Sequence, residues 1–317
     1  MKSIFVSALV VGSGLFIVLA QTPPAGSASS GGLVKAQWKN EVSIRIEGEK
    51  RIIESNGIPA HDVGIFPGYR NPNAIAPQKY HFEMPANPKA ADKPSLIQMQ
   101  PFGIALNGMV FDPGTAEFWQ NDRSSGWRYE AGTGKLDLGL DANNAHVQPT
   151  GAYHYHAMPL GLFKQLNPAN KPQLTQVGWA ADGFPIYARY DYTDPKNPKS
   201  EIRVMRASYK IKEGTRPGGP GGKYDGTFTA DFEYVPGSGD LDECGGRFGA
   251  TPEFPKGIYH YLLTDDYPFI PRLLIGTSDP SFLRRGPPPG GGAGGPGERR
   301  GPPPGFPPPP GSFPPPR

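Results

Sequence analysis

The chain has 317 residues, of which 19% are charged, and a formal net charge of +3 at pH 7. Lys2 carries one of these positive charges, and Arg299, Arg300 and Arg317 outweigh Glu298 near the carboxyl terminus, so the body between the two ends is close to neutral. A neutral body lacks the basic surface typical of proteins that bind DNA or RNA, and we expect no nucleic-acid partner.

The amino terminus has the pattern of an export signal. One cation, Lys2, precedes an uncharged apolar stretch from Ile4 to Ala20, and the small residues Val18 and Ala20 suit cleavage after position 20. We therefore predict a signal peptide over residues 1–20 and a flexible linker over residues 21–33. An uncleaved membrane anchor is the alternative, because the stretch is near the lower length limit for spanning. No second apolar span follows in the sequence, so we expect an exported protein, periplasmic or secreted, without a stable membrane span.

The body, residues 34–285, is predicted to be one domain built mainly from β-strands. After residue 32, only 33–47 and 199–213 run longer than a dozen residues without Pro or Gly, which argues against long helices. The expected architecture is a sandwich or distorted barrel with long irregular loops. Alternation of Val42, Ile44 and Ile46 predicts a strand within 41–57, followed by a turn at EGEK, 47–50. Extended segments are also predicted in 202–211 and 224–235, and turns at Asn56-Gly57, Asp182-Gly183 and Asp225-Gly226.

The segment GAYHYHAMP, residues 151–159, is the strongest candidate for a functional motif. On a strand, His154 and His156 point to one face, and Tyr153 and Tyr155 point to the other. Two imidazoles on one face can chelate copper or zinc, but they can also be hydrogen-bonded core residues. His146 lies eight residues upstream, and the bend at 149–151 could fold it back as a third ligand.

A second segment, GIYHYLLTD at 257–265, repeats the Tyr-His-Tyr pattern. It has Leu262 where the first segment has His156. If both segments are strands that point a histidine inward, His154 and His260 become partners in one site. We therefore expect His154 and His156, joined by His260 or His146, to face a shared polar pocket.

Other polar residues have both structural and chemical interpretations. Asp182 precedes a glycine and is first a turn residue, although it could also orient an imidazole. The loop DLDECGGRFG, 240–249, carries Glu243 and Cys244, and its Arg247 could pair with Asp242.

Cys244 and the two remaining histidines offer few further candidates for a disulfide, a nucleophile or a metal ligand. Cys244 is the one cysteine of the chain, so no intramolecular disulfide is available. A nucleophilic pair of Cys244 with His260 is conceivable, but no local feature marks this thiol as activated. His61 and His81 stand in Pro-rich stretches and are interpreted as surface or packing residues.

An aromatic segment at 114–131 supports a different class of function. Trp119 and Trp127 could stack on a sugar ring, although a core role is the simpler explanation of these aromatic residues. The alternative to metal binding is therefore a non-enzymatic extracellular or envelope module that binds carbohydrate or protein and uses its histidines structurally.

The carboxyl-terminal segment 286–317 holds 14 Pro and 10 Gly among its 32 residues. A segment of this composition has little apolar surface to bury, so we predict a disordered tail whose prolines favour extended polyproline II.

Four segments resemble, in order, the YHYH-motif family of exported proteins: PFGIALNGMVFDPGTAEFW, LGLDANNAHVQPTGAYHYH, ADGFPIYARY and DLDECGGRFGATPEFPKGIYHYLLTDDYPFIPR. The resemblance implies that residues of about 40–280 form one domain, and it implies no reaction, since the family is largely uncharacterised. Its characteristic positions here are Asn107, Asp112, His146, Tyr153, His154, Tyr155, His156, Asp182, Glu243, Cys244 and His260.

The sequence thus predicts a divalent metal site, copper or zinc, in a storage, delivery or redox role. It leaves open whether the protein is an enzyme and which small molecule, if any, it binds.

Overall fold

A computed structural model describes residues 32–97 and 100–283. The predicted signal peptide at 1–20, nearly all of the predicted linker at 21–33 and the predicted tail at 286–317 lie outside the described residues. The strands are β1 Val42–Glu47, β2 Lys50–Ser55, β3 Tyr80–Pro85, β4 Ala90–Leu96, β5 Gly103–Ala105, β6 Val110–Phe111, β7 Ala145–Val147, β8 Tyr153–Tyr155, β9 Gln176–Ala180, β10 Pro185–Tyr187, β11 Tyr190–Tyr192, β12 Ile202–Val204, β13 Tyr209–Ile211, β14 Phe232–Tyr234, β15 Gly246–Gly249, β16 Ile258–Leu262 and β17 Leu273–Gly276.

Helices are short throughout the described part of the chain. The α-helix α1 spans Leu160–Leu166, and 3₁₀ turns span Trp119–Asn121, Arg123–Ser125, Thr229–Asp231 and Pro280–Phe282. The prediction of a mainly β protein is confirmed. Within the described residues, no helix has the length and apolar character needed to cross a bilayer.

An eight-stranded sheet forms the centre of the fold, in the order β15-β16-β10-β9-β5-β6-β8-β7. The pairs β6–β8 and β10–β16 are parallel, and the other neighbours are antiparallel. Since β15 and β7 end the order, this sheet is open and forms no closed barrel. The other described strands form a three-stranded sheet, β1-β2-β3, and the pairs β11-β12, β13-β14 and β17-β4.

The central strands are buried on both faces. All three residues of β5, β8 and β10 are buried, and Phe102, Ile104 and Phe111 are fully enclosed in the largest apolar cluster. Each such side chain contributes about 1.5–3 kcal/mol through removal from water. The core therefore lies around the sheet strands that carry the tyrosines and histidines.

The strand predicted from Val42, Ile44 and Ile46 is confirmed as β1, and the turn predicted at 47–50 joins it to β2 with Gly48 at φ +60°. Its apolar alternation, however, does not face the core. Val42, Ile44 and Ile46 are exposed, whereas Ile52 and Ile53 of β2 are buried. β1 is an edge strand, and only its partner contacts the main cluster.

The strand predicted over 224–235 is correct only at β14. The preceding residues form a loop around the buried Asp231, whose Oδ2 accepts the backbone N–H of Gly226 and Phe228 and a guanidinium N–H of Arg216. These bonds supply the backbone partners that a strand would otherwise provide. The strands predicted within 202–211 are confirmed as β12 and β13, and the three predicted turns have glycines at φ +64°, +89° and +84°.

Candidate metal centre

A tight hairpin brings His146 opposite His154. β7 and β8 pair antiparallel with His146 and His154 in register, and the predicted bend at 149–151 makes the connection. Gly151 adopts φ +84°, and a Cβ at this position would lie 2.5 Å from the Cβ of Ala76. Glycine is therefore required at the end of the bend.

His156 completes a group of three histidines, which we call the histidine triad (His146, His154 and His156). His156 follows β8 directly, and its backbone N–H donates to the carbonyl oxygen of Asn144 at 2.8 Å, which holds it beside the hairpin. The Nε2 atoms of His154 and His156 are 2.9 Å apart, and those of His156 and His146 are 3.1 Å apart. His154 and His156 are each 2% exposed, while His146 is partly exposed.

Backbone carbonyls fix the tautomers of two triad members. Nδ1 of His146 donates to the carbonyl oxygen of Leu138 at 2.7 Å, and Nδ1 of His154 donates to that of Ala152 at 3.2 Å. A carbonyl oxygen only accepts, so in each neutral ring the Nε2 atom carries the lone pair. Metal-bound histidines are oriented in this way by their other ring nitrogen.

The surroundings of His146 favour a neutral imidazole beside a cation. Burial lowers the pKa of His146, and nearby Asp112, Glu117 and Asp141 oppose this shift through their negative charge. Asp112 is buried, its backbone N–H donates to the carbonyl oxygen of Tyr155, and its Oδ2 accepts from Gln148 at 3.2 Å. A neutral imidazole offers its lone pair to a divalent cation, and the nearby carboxylates attract the positive charge of that cation.

The geometry is close to that of a metal site with three histidine ligands. Zn–N distances of about 2.0–2.1 Å in a tetrahedron place ligand nitrogens about 3.3 Å apart. In the pairs His154–His156 and His156–His146, the observed 2.9 and 3.1 Å are within a few tenths of an ångström of this value. Within the described residues, the triad is the one group of at least three His, Cys, Asp or Glu with ligand atoms this close together, all within 4.8 Å.

The side chains of Tyr153 and Tyr155 lie on the face of β8 opposite to the histidines. The hydroxyl of Tyr153 donates to Oδ2 of Asp141 at 2.8 Å, and the hydroxyl of Tyr155 accepts from Nδ2 of Asn107 at 2.9 Å. Burial raises the pKa of both tyrosines well above its ordinary value. They remain neutral and fasten the strand to the loops that contain Asp141 and Asn107.

The two other amino-terminal histidines have structural positions. His61 is buried and its Nε2 lies 2.6 Å from the hydroxyl of Tyr155, in agreement with a packing role. His81 lies on β3, not in an irregular stretch, where its side chain contacts the carboxylates of Glu54 and Glu83.

The predicted partnership of His154 with His260 is wrong. β16 is separated from β8 by β10, β9, β5 and β6, which corresponds to about 24 Å at the usual strand spacing. Nε2 of His260 instead lies 2.9 Å from Oδ2 of Asp191, and the same oxygen forms an ion pair with Arg247 at 2.6 Å. The repeated tripeptide marks distant strands of one sheet, not two walls of one pocket.

The loop at 240–249 also differs from its prediction. Arg247 pairs with Asp191, and Asp242 accepts the hydroxyl of Tyr259 instead. The side chain of Glu243 is exposed. Cys244 is 1% exposed, and burial raises its pKa to about 12, so the thiol is protonated at neutral pH and unsuited to nucleophilic attack.

Asp182 is a turn residue, as its Asp-Gly dipeptide indicates, and it orients a tyrosine, not an imidazole. Its Oδ1 accepts the backbone N–H of Phe184, and its Oδ2 accepts the hydroxyl of Tyr261 at 2.6 Å.

Trp119 and Trp127 are half-buried, and Trp127 packs edge-on against Phe228 with ring centroids 5.6 Å apart.

Asp141 is the principal residue that the sequence reasoning missed. It anchors Tyr153 and also accepts the backbone N–H groups of Gly64 and Asn143, each at 2.8 Å. The available signal was the likeness of LDANNAHV to LDECGGRF, where Asp141 and Asp242 occupy the same place.

Comparison with known proteins supports one assignment. A family model described as YHYH protein matches residues 81–276, which contain the histidine triad and both Tyr-His-Tyr strands. No curated protein and no solved structure matches the chain. Because the matched segment covers more than half of the chain, the protein belongs to the YHYH protein family.

Proposed function

We propose that the protein binds a divalent transition metal ion, zinc or copper, through the histidine triad. The observation that carries the proposal is the convergence of three Nε2 atoms, two of which carry lone pairs because their Nδ1 atoms donate to main-chain carbonyls. Imidazole is a preferred ligand of both metals.

The burial pattern supports an ion that is open on one side. His154 and His156 are enclosed, whereas His146 is partly exposed, so a fourth ligand would approach past His146. Three histidines with a free fourth position are typical of zinc sites that hold water or a small molecule. The proposal extends to that small-molecule ligand but assigns no reaction.

Export is part of the same proposal. The signal-like residues 1–20 support synthesis as a precursor that matures in the periplasm or outside the cell. Amino-terminal sequencing of protein recovered outside the cytoplasm tests this, and the expected result is a chain that begins at Gln21. An intact amino terminus in the cytoplasmic fraction contradicts it.

Metal analysis tests the central part of the proposal. The purified full chain is stripped with a chelator, reloaded with zinc or copper, desalted and analysed for metal content. We expect one equivalent in the parent and none in His154→Ala/His156→Ala. His81→Ala is the matched control, since this exposed imidazole lies outside the triad and its loss should leave the stoichiometry unchanged. A folded parent that retains neither metal refutes the proposal.

A further inference from the structure

The eight-stranded sheet has an internal pseudo-two-fold symmetry. Read from either edge, the pairings run antiparallel, parallel and antiparallel, and the two halves meet at the antiparallel pair β5–β9, where Ile104 faces Trp179. In strand order and pairing direction, β8 corresponds to β16, β7 to β15, β6 to β10 and β5 to β9. The tripeptides Tyr153–Tyr155 and Tyr259–Tyr261 thereby occupy equivalent places.

Three pairs of sequence segments follow the same relation. The hairpin GIALNGMVF at 103–111 corresponds to GWAADGFPI at 178–186. The loop LDANNAHV at 140–147 corresponds to LDECGGRF at 241–248, and the strand GAYHYH at 151–156 corresponds to GIYHYL at 257–262. Asn144 and Gly245, at the same place in the two loops, both have positive φ, of 57° and 73°.

The anchoring hydrogen bonds of the tyrosines recur in both halves. Tyr153 donates to Asp141 at 2.8 Å, as Tyr259 donates to Asp242 at 2.9 Å. The hydroxyl of the second tyrosine bonds the residue before the hairpin glycine in each half: Tyr155 with Asn107 at 2.9 Å, and Tyr261 with Asp182 at 2.6 Å. Equivalent sequence, pairing and bonds together indicate that the halves are two versions of one unit.

The place of the histidine triad has a counterpart in the second half. His260 corresponds to His154, and its Nδ1 bonds the carbonyl oxygen of Ile258 at 3.1 Å in the same manner. Arg247 pairs with His260 in register, as His146 pairs with His154, and Leu262 replaces His156. One imidazole of the three is thus retained.

In the second half, the place that corresponds to the histidine triad contains a positively charged side chain, that of Arg247. Asp191 on β11, only 1% exposed, accepts from Nε of Arg247 at 2.6 Å and lies 2.9 Å from Nε2 of His260, which is fully buried. The Arg247 guanidinium also donates to the carbonyl oxygen of Tyr192. A permanently charged guanidinium therefore neutralises the carboxylate beside the retained imidazole.

We infer that the Arg247–Asp191–His260 cluster is a converted metal site, in which a guanidinium stands in the place of the ion bound by the histidine triad. The inference rests on the proposed function for the identity of that ion. The chain accordingly takes one metal ion, and Arg247→His/Leu262→His restores a second site made of three imidazoles and the Asp191 carboxylate. Three histidines and one carboxylate are suitable zinc ligands.

Zinc stoichiometry of the full chain tests the inference. We expect one equivalent in the parent, two in Arg247→His/Leu262→His, and one when His154→Ala/His156→Ala is combined with the two new substitutions. If the parent binds none and Arg247→His/Leu262→His binds one, the proposed function fails while this inference stands. A folded Arg247→His/Leu262→His protein that gains no zinc overturns the inference.

A second variant covers the case in which the double substitution prevents folding, since Leu262 is buried. In the His154→Ala/His156→Ala background, Arg247→Ala leaves Asp191 and His260 without their cation. We expect millimolar zinc to raise the thermal midpoint of this variant, and the further change Asp191→Asn to abolish the rise. An equal response with and without the carboxylate overturns the inference.

Discussion

The change Tyr153→Phe tests how the YHYH motif is held in place. It removes the hydroxyl of a fully buried ring, and with it the 2.8 Å hydrogen bond that this hydroxyl donates to the Asp141 carboxylate. Oδ2 of Asp141 keeps the backbone N–H of Gly64 at 2.8 Å, so the carboxylate loses one donor but stays partly satisfied. Hydrogen bonds to charged groups contribute about 1.5–3 kcal/mol, and we expect the free energy of unfolding to fall by that amount.

Urea unfolding of the chelator-treated protein, followed by tyrosine and tryptophan fluorescence, measures this loss. For a domain of this size, the thermal midpoint should fall by roughly 3–12 °C. Tyr69→Phe is the control, because Tyr69 is 71% exposed, and it should leave both quantities unchanged. The metal content should stay at the parent value, since the tyrosines and histidines occupy opposite faces of β8. A loss below about 0.5 kcal/mol refutes the anchoring role, because changes of that size are typical of surface positions.

Three further predictions follow from the burial and hydrogen bonding of single residues. Cys244, with its pKa raised to about 12, should resist a thiol-reactive dye at pH 8 until urea unfolds the protein; rapid labelling of folded protein contradicts this. Burial opposes ionisation of Asp191, but its bonds to the His260 imidazole and the Arg247 guanidinium lower its pKa on balance. The charged carboxylate therefore stabilises the fold at pH values above its ordinary pKa of 3.8, and this stabilisation is lost as the pH falls through its lower pKa in the folded protein. The free energy of unfolding of Asp191→Asn should therefore lie well below that of the parent at pH 6, and the difference between the two proteins should be smaller at pH 2.5. An equal difference at both pH values refutes the linkage. Gly151→Ala should destabilise the protein by more than about 1 kcal/mol and weaken metal retention, because a Cβ there meets Ala76 at 2.5 Å on a backbone with φ +84°; unchanged unfolding would show that the bend tolerates a side chain.

The sequence was most informative where one face of a strand faces water or where a turn needs glycine. The strand β1, the turn after it at 47–50, and the turns at Asn56-Gly57 and Asp182-Gly183 followed from local rules. The central strands β5, β6 and β10 have two or three residues and are buried on both faces, so they show no alternation from which they could be found. Local patterns therefore located the periphery better than the core.

The candidate site was predictable only in part for the same reason. The period of two placed His154 and His156 on one face, and the bend at 149–151 brought back His146. The error at His260 arose because a repeated motif was interpreted as spatial proximity. In this sheet the repeat expresses pseudo-symmetry, which places the equivalent strands β8 and β16 each next to an opposite end of the strand order.

X-ray absorption at the zinc edge of the reloaded full chain tests the central claim most directly. The account predicts one zinc per chain with three imidazole nitrogens at about 2.0–2.1 Å, and loss of that imidazole signature in His146→Ala/His154→Ala/His156→Ala. Zinc that keeps the same imidazole signature in the folded triple variant would contradict the account.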